Sequence, residues 1–301
     1  MGGVNLQMLA NEHCATGESP LWIREQSVVL WTDIPRGAVF RVQIREGEGH
    51  ALSAGEAEVV YQGEPVGGMA RRAGGAILLL RSRDIAVLKI GEEGASSTCE
   101  VLAPFEEPRA RRFNDCAADA RGRLFAGTIG AEPGSGGVYR IEQGGRARCL
   151  LTGTGVSNGM GFSPCGKYLY WTDSTARRIL RFRYDLETGE PGASEVFFQA
   201  SSQDGPEQGM PDGLAVDAEG FVWSARNKGW GLARHDPRDG SVASWWPLPV
   251  AEALSLCWGG ADLSTRFVTT GGGSPDANSL DGALFALRPG ARGLPEGEAA
   301  V

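Results

Sequence analysis

The segment SNGMGFSPCGKYLYWTD, residues 157–173, contains the pattern that decides the fold. Its second half, KYLYWTD (167–173), is rich in aromatic and β-branched residues, and a similar run, RILRFRYD (178–185), follows after a short connection. The intervening S-P-C-G (163–166) is typical of a turn, because proline fixes φ and glycine accepts positive φ. The segment therefore predicts short β-strands joined by tight turns.

The same unit recurs six times along the chain. The first β-rich runs end 45 to 53 residues apart and are SVVLWTD (27–33), GAILLLRS (75–82), GRLFAGT (122–128), KYLYWTD (167–173), GFVWSAR (220–226) and TRFVTTG (265–271). Each run has a β-rich partner, so each unit has room for about four short strands. We predict an all-β, six-bladed β-propeller with four-stranded blades around a central metal-containing channel, in a single domain over residues 1–301. We also expect residues 4–9 to close the last blade and residues 290–301 to form a loosely ordered tail.

Composition narrows the possible partners. Glycine supplies 45 of the 301 residues, and because each interior glycine costs a helix about 1 kcal/mol relative to alanine, long helices are not expected. The net charge is −8, and no basic patch typical of nucleic-acid binders is present in the sequence. No apolar run could span a bilayer, and the first residues lack a basic segment followed by an apolar one. We expect a cytoplasmic monomer or weak homo-oligomer without a nucleic-acid or membrane partner.

Polar residues occupy one repeat position. Glu18, Asn114, Asn158 and Asp212 each stand 14 or 15 positions before the end of a β-rich run, where the second unit has Gly67. Equivalent repeat positions lie at one height around a propeller axis, so these side chains should meet at one end of the channel. Their oxygens suit one divalent metal ion, Ca²⁺ best, with Mg²⁺, Mn²⁺ or Zn²⁺ as alternatives. Asparagine or aspartate before glycine is also a common turn former, and direct metal contact by Asn114 stays open.

Five segments carry a family resemblance across nearly the whole chain. They are GESPLW (17–22), RFNDCAADARGRLFAGT (112–128), SNGMGFSPCGKYLYWTD (157–173), PDGLAVDAEGFVWSA (211–225) and WGGADLSTRFVTT (258–270). Together they resemble the SMP-30/gluconolactonase/luciferin-regenerating-enzyme family. The resemblance implies a six-bladed propeller, a divalent metal at its axis and lactone hydrolysis.

The resemblance also assigns roles to individual residues. It implies Glu18, Asn158 and Asp212 as metal ligands, Asp212 as the general base, and Arg112 and Asn114 as substrate contacts. Some family members have a glutamate after the G-T motif, so Glu132 in GTIGAEPGSGG is a weaker substrate-binding candidate.

The leading hypothesis is hydrolysis of a sugar lactone, gluconolactone-like, to its acid. In this hypothesis the metal acts as a Lewis acid and Asp212 takes a proton from water. One alternative is a phosphotriesterase-like hydrolase on the same site. The other is a non-catalytic binding propeller, because the two W-T-D runs resemble the YWTD repeats of such propellers. Arg112 could instead form a salt bridge with Asp115 or Glu107. The G-x-S-x-G match at 155–159 lacks the strand-turn-helix context of a serine hydrolase. Loops 131–137, 203–210 and 227–230 are expected to set the sugar specificity.

Overall fold

The strands follow from the recurring β-rich runs and form six sheets. In this computed structural model, residues 6–47, 51–91, 96–201 and 209–301 are described. Their regular structure consists of strands and one 3₁₀ turn, Gln143–Gly145. Across these ranges no helix is long and apolar enough to cross a membrane.

The first three sheets follow a short leading strand, β1 (Gln7–Asn11). The first blade contains β2 (Gly17–Ile23), β3 (Val28–Asp33), β4 (Ala38–Glu46), β5 (Leu52–Ala54) and β6 (Glu58–Gln62), of which β5 and β6 pair with different parts of β4. The second contains β7 (Val66–Arg71), β8 (Ile77–Arg81), β9 (Asp84–Lys89) and β10 (Thr98–Pro104). The third contains β11 (Ala110–Ala118), β12 (Leu124–Gly130), β13 (Gly136–Ile141) and β14 (Ala147–Thr154).

The remaining three sheets repeat the antiparallel meander. The fourth blade contains β15 (Ser157–Phe162), β16 (Tyr168–Asp173), β17 (Arg178–Asp185) and β18 (Glu190–Gln199). The fifth contains β19 (Met210–Val216), β20 (Val222–Asn227), β21 (Gly231–His235) and β22 (Val242–Pro247). The sixth contains β23 (Ala253–Gly259), β24 (Thr265–Thr270), β25 (Ala283–Leu287) and, from the other end of the chain, β1.

The six sheets form a closed ring, which confirms the six-bladed propeller. The first strand of each of the six blades packs against the first strand of both neighbouring blades, including β2 against β23. β1 pairs with β25, so the leading segment closes the sixth blade as expected, although residues 4 and 5 of the predicted strand lie outside the described residues. Because closure leaves no unpaired side on the ring, the first strands surround a central channel.

Buried side chains between the sheets hold the blades together. Trp31, Trp171 and Trp223 are each almost fully buried on the second strand of a blade, within apolar clusters that join neighbouring sheets. The two W-T-D runs therefore belong to the core.

The predicted hairpin turns are stabilised by their own side chains. Asp119 Oδ1 accepts hydrogen bonds from the backbone N–H groups of Arg121 and Arg123, and Asp217 Oδ1 accepts two equivalent bonds. Gly122, Gly166 and Gly220, which close the three turns, all have positive φ. Asp119 and Asp217 thus have the structural role that the repeated D-A-x-G pattern indicates.

The expectation of a loosely ordered tail is wrong. Ala299 is fully buried in the core between the second and third blades. Its backbone N–H donates to Arg71 O at 2.7 Å, and the N–H of Ala300 donates to Gly122 O at 2.8 Å. Earlier in the tail, Gly293 N–H donates to Leu263 O of the sixth blade at 2.9 Å. The tail therefore connects opposite sides of the ring and crosses one end of the channel.

Candidate metal centre

A local irregularity positions the predicted side chains at the channel. In four blades, the pairing between the first and second strands shifts register at the predicted polar residue. The shift lies between Glu18 and Leu21 in the first blade, and it spans Asn114, Asn158 and Asp212 in the third, fourth and fifth. In blade two the shift falls across Gly67. Since a β-bulge turns a side chain away from the regular alternation of a strand, one repeated bulge directs all four polar groups to the same level.

Glycines make room for these bulges. A Cβ on Gly67 would lie 2.0 Å from the backbone oxygen of Phe113, on the neighbouring first strand. A Cβ on Gly159 would lie 2.2 Å from the backbone nitrogen of Leu214. The close approach of adjacent strands explains why glycine stands beside the polar residues in the sequence.

Hydrogen bonds join the predicted ligands across three blades. Asn114 Nδ2 donates to Asn158 Oδ1 at 3.0 Å, and Asn158 Nδ2 donates to Ser174 Oγ at 3.0 Å. Ser174 Oγ in turn donates to Pro211 O, next to Asp212, at 2.6 Å. The orientation of both amides is therefore determined, and Asn158 presents its oxygen on the side of Asn114.

One carboxylate oxygen in this group has no partner. Glu18, Asn158 and Asp212 are each only 4% exposed. Asp212 Oδ2 accepts a hydrogen bond from Asn227 Nδ2 at 3.3 Å, whereas Asp212 Oδ1 is buried without a hydrogen-bond partner among the described residues. A buried unsatisfied carboxylate oxygen is costly, and a bound cation would satisfy it.

The electrostatics of the group favour a cation. Burial raises the pKa of Asp212 to about 8 and that of Asp115 to about 7. Burial, followed by the nearby charges of Asp212 and Asp115, also raises the pKa of Glu18. Arg112, whose pKa burial lowers to about 10, is the basic group that interacts with Glu18 and Asp212. Three buried carboxylates beside one arginine leave an excess of negative charge that a divalent ion would neutralise.

The donor set fits a hard divalent ion. Glu18 and Asp212 supply carboxylates, and Asn158 supplies an amide oxygen, as Ca²⁺ prefers. Nowhere in the described part of the chain do three or more histidine, cysteine, aspartate or glutamate side chains form a cluster that could hold a metal. A centre on these three residues must therefore include an asparagine, and open coordination positions would remain for water or substrate.

Arg112 lies beside the ligand group and contacts Asn114. Its Nη1 donates to Asn114 Oδ1 at 2.7 Å and to Phe113 O at 2.8 Å. The salt bridges considered from the sequence are not formed: Glu107 pairs with Arg109, and Asp115 Oδ1 accepts from the backbone N–H of Cys116. The guanidinium of Arg112 is hydrogen-bonded to neutral oxygens. Its positive charge is therefore not paired within these bonds and can interact with the carboxylates of Glu18 and Asp212.

Comparison with known proteins shows the family of the chain. A family model described as the SMP-30/Gluconolactonase/LRE-like region matches residues 16–272. The chain belongs to this family. It is 31% identical over 293 residues to pentonolactonase XacC of Haloferax volcanii, which covers 94% of both chains. It is 29% identical to regucalcin of Sus scrofa over 98% of both chains.

A solved structure supports the fold. A luciferin-regenerating enzyme matches this SMP-30/gluconolactonase/LRE-like chain with a TM-score of 0.84 at 22% identity, over 99% of this chain and 100% of that one. At this identity the likeness concerns the architecture, and it agrees with the six-bladed ring described above.

Glu132, the weaker substrate-binding candidate of this family member, is not bonded to the other proposed substrate contacts. Glu132 lies in the exposed β12–β13 turn, where its backbone N–H donates to Ser135 Oγ at 3.0 Å. No described hydrogen bond or ion pair joins its carboxylate to Arg112 or Asn114.

The G-x-S-x-G match has a structural explanation. Ser157 Oγ is fully buried and accepts a hydrogen bond from Trp171 Nε1 at 2.7 Å. His235 is also buried, between Arg226 Nη2 at 2.7 Å and Gly240 O at 2.8 Å. Ser157 and His235 are thus each engaged by other partners.

Sequence inspection considered Asp115 as a partner of Arg112 and Asn227 as part of a specificity loop, but missed that both lie beside the ligand group. Asn227 follows the end of the fifth β-rich run and pairs with Met210, two residues before Asp212. Unshifted counting from the β19–β20 turn would have placed Arg226 opposite Asp212, and the bulge at Asp212 alters this register. Asp115 directly follows Asn114, and only its position within the bulge brings it near Glu18.

A chamber lies in the channel behind the ligand group. It has a volume of about 640 Å³, and Ser19, Leu21, Asp115, Met160 and Leu214 contribute to its wall. Tail residues 294–298 line it at the far end. The ligand group therefore borders an internal cavity.

Proposed function

We propose that this protein is a lactonase that uses one divalent metal ion to open a sugar lactone to its acid. The observation that carries the proposal is the buried group of Glu18, Asn158 and Asp212 with an unsatisfied Asp212 Oδ1, next to Arg112. Membership of the family and the similarity to a pentonolactonase support lactone hydrolysis as the reaction class.

We further propose that Glu18, Asn158 and Asp212 hold the metal. Their oxygen-only donor set favours Ca²⁺, and Zn²⁺, Mn²⁺ and Mg²⁺ are alternatives for the test. When bound, such an ion supplies Lewis-acid polarisation of a carbonyl oxygen. The three donors are shielded from bulk solvent by their burial.

Asp212 is proposed as the general base. Its Oδ2 accepts from Asn227, and an oxygen so placed has a second lone pair for the proton of an attacking water. Burial raises the pKa of Asp212 to about 8 in the absence of metal, and a bound divalent ion would favour the ionised carboxylate, which is the form that accepts the proton. As Asp212 takes one proton from the attacking water, the water oxygen bonds to the lactone carbonyl carbon. The ring C–O bond then breaks, Asp212 returns that proton to the leaving ring oxygen to form a hydroxyl, and the new carboxylic acid releases its proton to solvent as it becomes a carboxylate.

Arg112 and Asn114 are proposed to orient the sugar. Arg112 Nη1 is engaged by Phe113 O and Asn114 Oδ1, which leaves the rest of the guanidinium fork for hydroxyls of the substrate. Glu132, on the exposed turn, is proposed as a further contact with the ring hydroxyls.

The test is a pH-indicator assay on gluconolactone, xylonolactone, arabinonolactone, galactonolactone and a fluorophosphate. Chelated protein is reconstituted with Ca²⁺, Zn²⁺, Mn²⁺ or Mg²⁺, and metal content is measured in parallel. We expect metal-dependent hydrolysis of at least one lactone, faster than that of the fluorophosphate. Lack of metal-dependent hydrolysis of every lactone would overturn the proposal.

The base assignment is tested with Asp212→Asn. We expect a loss of turnover of about 100- to 10,000-fold, the range typical of a missing general base, with a folded protein. The matched control is Asp239→Asn, because Asp239 is exposed and bonds only locally to Ser241. Full activity of Asp212→Asn at saturating metal would show that another group takes the proton.

A further inference from the structure

The last residue of β20, Asn227, brings an amide to the candidate metal centre. Asn227 Nδ2 lies 3.3 Å from Asp212 Oδ2. An ionised carboxylate only accepts hydrogen bonds, so the amide must present its nitrogen to it. With Oδ2 engaged in this way, Asp212 Oδ1 is the carboxylate oxygen left without a described partner, and Asn227 Oδ1 is likewise buried without one.

The backbone of the β20–β21 turn is held in an unusual conformation. Lys228 and Trp230 have φ of 59° and 64°, in the left-handed region that favours glycine. Trp230 N–H donates to Ala251 O at 3.2 Å, and Leu248 N–H donates to Trp230 O at 2.9 Å. Such strain persists where the surroundings determine the conformation, and it is concentrated at functional sites.

Close packing limits the movement of the turn further. Gly229 N–H donates to Arg226 O at 3.1 Å, which closes the turn. A Cβ on Gly229 would lie 2.5 Å from the Cβ of Arg226. Asn227 itself pairs with Met210 on β19, the strand that carries Asp212. The backbone of Asn227 is therefore held in place by its pairing with β19 and by the closed turn that follows β20.

We propose that Asn227 is a positioning residue that sets the rotation of the Asp212 carboxylate, so that Oδ1 faces a divalent metal ion and Oδ2 does not. Asn227 acts through Asp212 and needs no contact with the metal. This inference rests on the proposed metal centre and adds a residue outside its ligand set. Without the amide, the carboxylate could rotate freely, and the ion would have to order it on binding.

The experiment measures Ca²⁺ binding by calorimetry on chelated full-length protein. Asn227→Ala removes the amide, and Asn227→Leu removes it while keeping the side-chain volume. Loss of a group that orients a metal ligand typically weakens affinity by about 10- to 100-fold, and we expect this increase in Kd for both variants. The melting temperature of the metal-free variants should match that of the wild type, whereas the increase in melting temperature produced by Ca²⁺ should be smaller.

Asn278→Ala is the matched control. Asn278 Nδ2 also lies 3.3 Å from an aspartate oxygen, Asp276 Oδ1, but this pair is exposed in the β24–β25 loop. The Ca²⁺ affinity of the Asn278→Ala variant should equal that of the wild type. The inference is overturned if both Asn227 variants bind Ca²⁺ as tightly as the wild type, or if Asn278→Ala weakens binding as much. If the wild type itself binds no divalent ion, the proposed metal centre fails instead.

Discussion

Asn114 and Asn158 form a direct amide–amide hydrogen bond between the third and fourth blades, with Nδ2 of Asn114 3.0 Å from Oδ1 of Asn158. The other end of the Asn114 amide accepts from Arg112. One side chain thus connects a proposed substrate-binding arginine to a proposed metal ligand. If both proposals hold, we expect metal binding and substrate binding to be coupled through Asn114.

Asn114→Ala should therefore weaken both kinds of binding. It leaves Asn158 Oδ1 and Ser157 O without their donor, and an unsatisfied buried group costs about 1–3 kcal/mol. We expect Kd for the metal and KM for the lactone each to rise about tenfold, a change of about 1.4 kcal/mol. Calorimetry and steady-state kinetics measure the two effects. An increase in KM alone, at unchanged metal affinity, would show that the coupling is absent.

The pH dependence of stability should reverse when metal binds. Burial raises the pKa of Asp212 from 3.8 to about 8 and that of Asp115 to about 7, so the folded metal-free protein holds protons that the unfolded chain releases near pH 4. This contribution to stability is present below pH 4 and is lost as the pH rises through about 8. A divalent ion competes with those protons, so its affinity should rise over the same interval.

Melting temperatures at pH 5, 7 and 9, with chelator and with saturating Ca²⁺, measure this linkage. The stabilisation by Ca²⁺ should grow from pH 5 to pH 9. Asp212→Asn should flatten the pH dependence of the metal-free protein, because it removes the carboxyl whose pKa is highest among those with stated values in the group. A metal-induced stabilisation that does not change with pH would contradict the expectation.

Glu132→Ala should affect substrate binding without affecting the fold. Glu132 is exposed, and the bonds that shape its turn use its backbone, so they remain in the variant. Loss of one hydrogen bond to a hydroxyl, about 1 kcal/mol, predicts an increase in KM of about fivefold. Glu219→Ala, on the turn between β19 and β20, is the control. Equal KM values for the two variants would exclude Glu132 from the binding site.

Gly67→Ala should destabilise the propeller. The added Cβ would meet Phe113 O at 2.0 Å, and forcing the two first strands apart costs about 1–3 kcal/mol. Gly192→Ala is the control, since its Cβ would lie 3.5 Å from the Cβ of Arg183, an ordinary contact. Urea unfolding gives the free energy of both variants. Similar stability for Gly67→Ala and the wild type would mean that the strands yield easily.

The repeat register predicted the level of the site but not its local geometry. Glu18, Asn158 and Asp212 could be placed at one end of the channel because a shared offset from each β-rich run implies a shared height. The bulges that aim them could not be predicted, since they depend on how tightly neighbouring first strands approach. The contact between Asn227 and Asp212 could not be predicted for a related reason. It depends on the pairing of β20 with β19, which shifts register at Asp212.

The tail shows a different limit of sequence patterns. Residues 290–301 are small and polar and have no strand-like alternation, so nothing local indicates burial. Ala299 is buried because the second and third blades together form a pocket for it. That pocket exists only in the assembled ring, and a local pattern cannot report it.

The two ends of the described chain meet partners very distant in sequence. Asn11 bonds to Ser279, 268 positions away, and Arg71 to Glu298, 227 positions away. Contacts over such separations require large loops to close, whereas each hairpin within a blade needs only a short one. Folding should thus begin with independent hairpins and end with a slow, cooperative locking step in which β1 and the tail engage together. Until that step, the first and sixth blades are not yet neighbours, and a metal centre that joins the first blade to the fourth and fifth is incomplete.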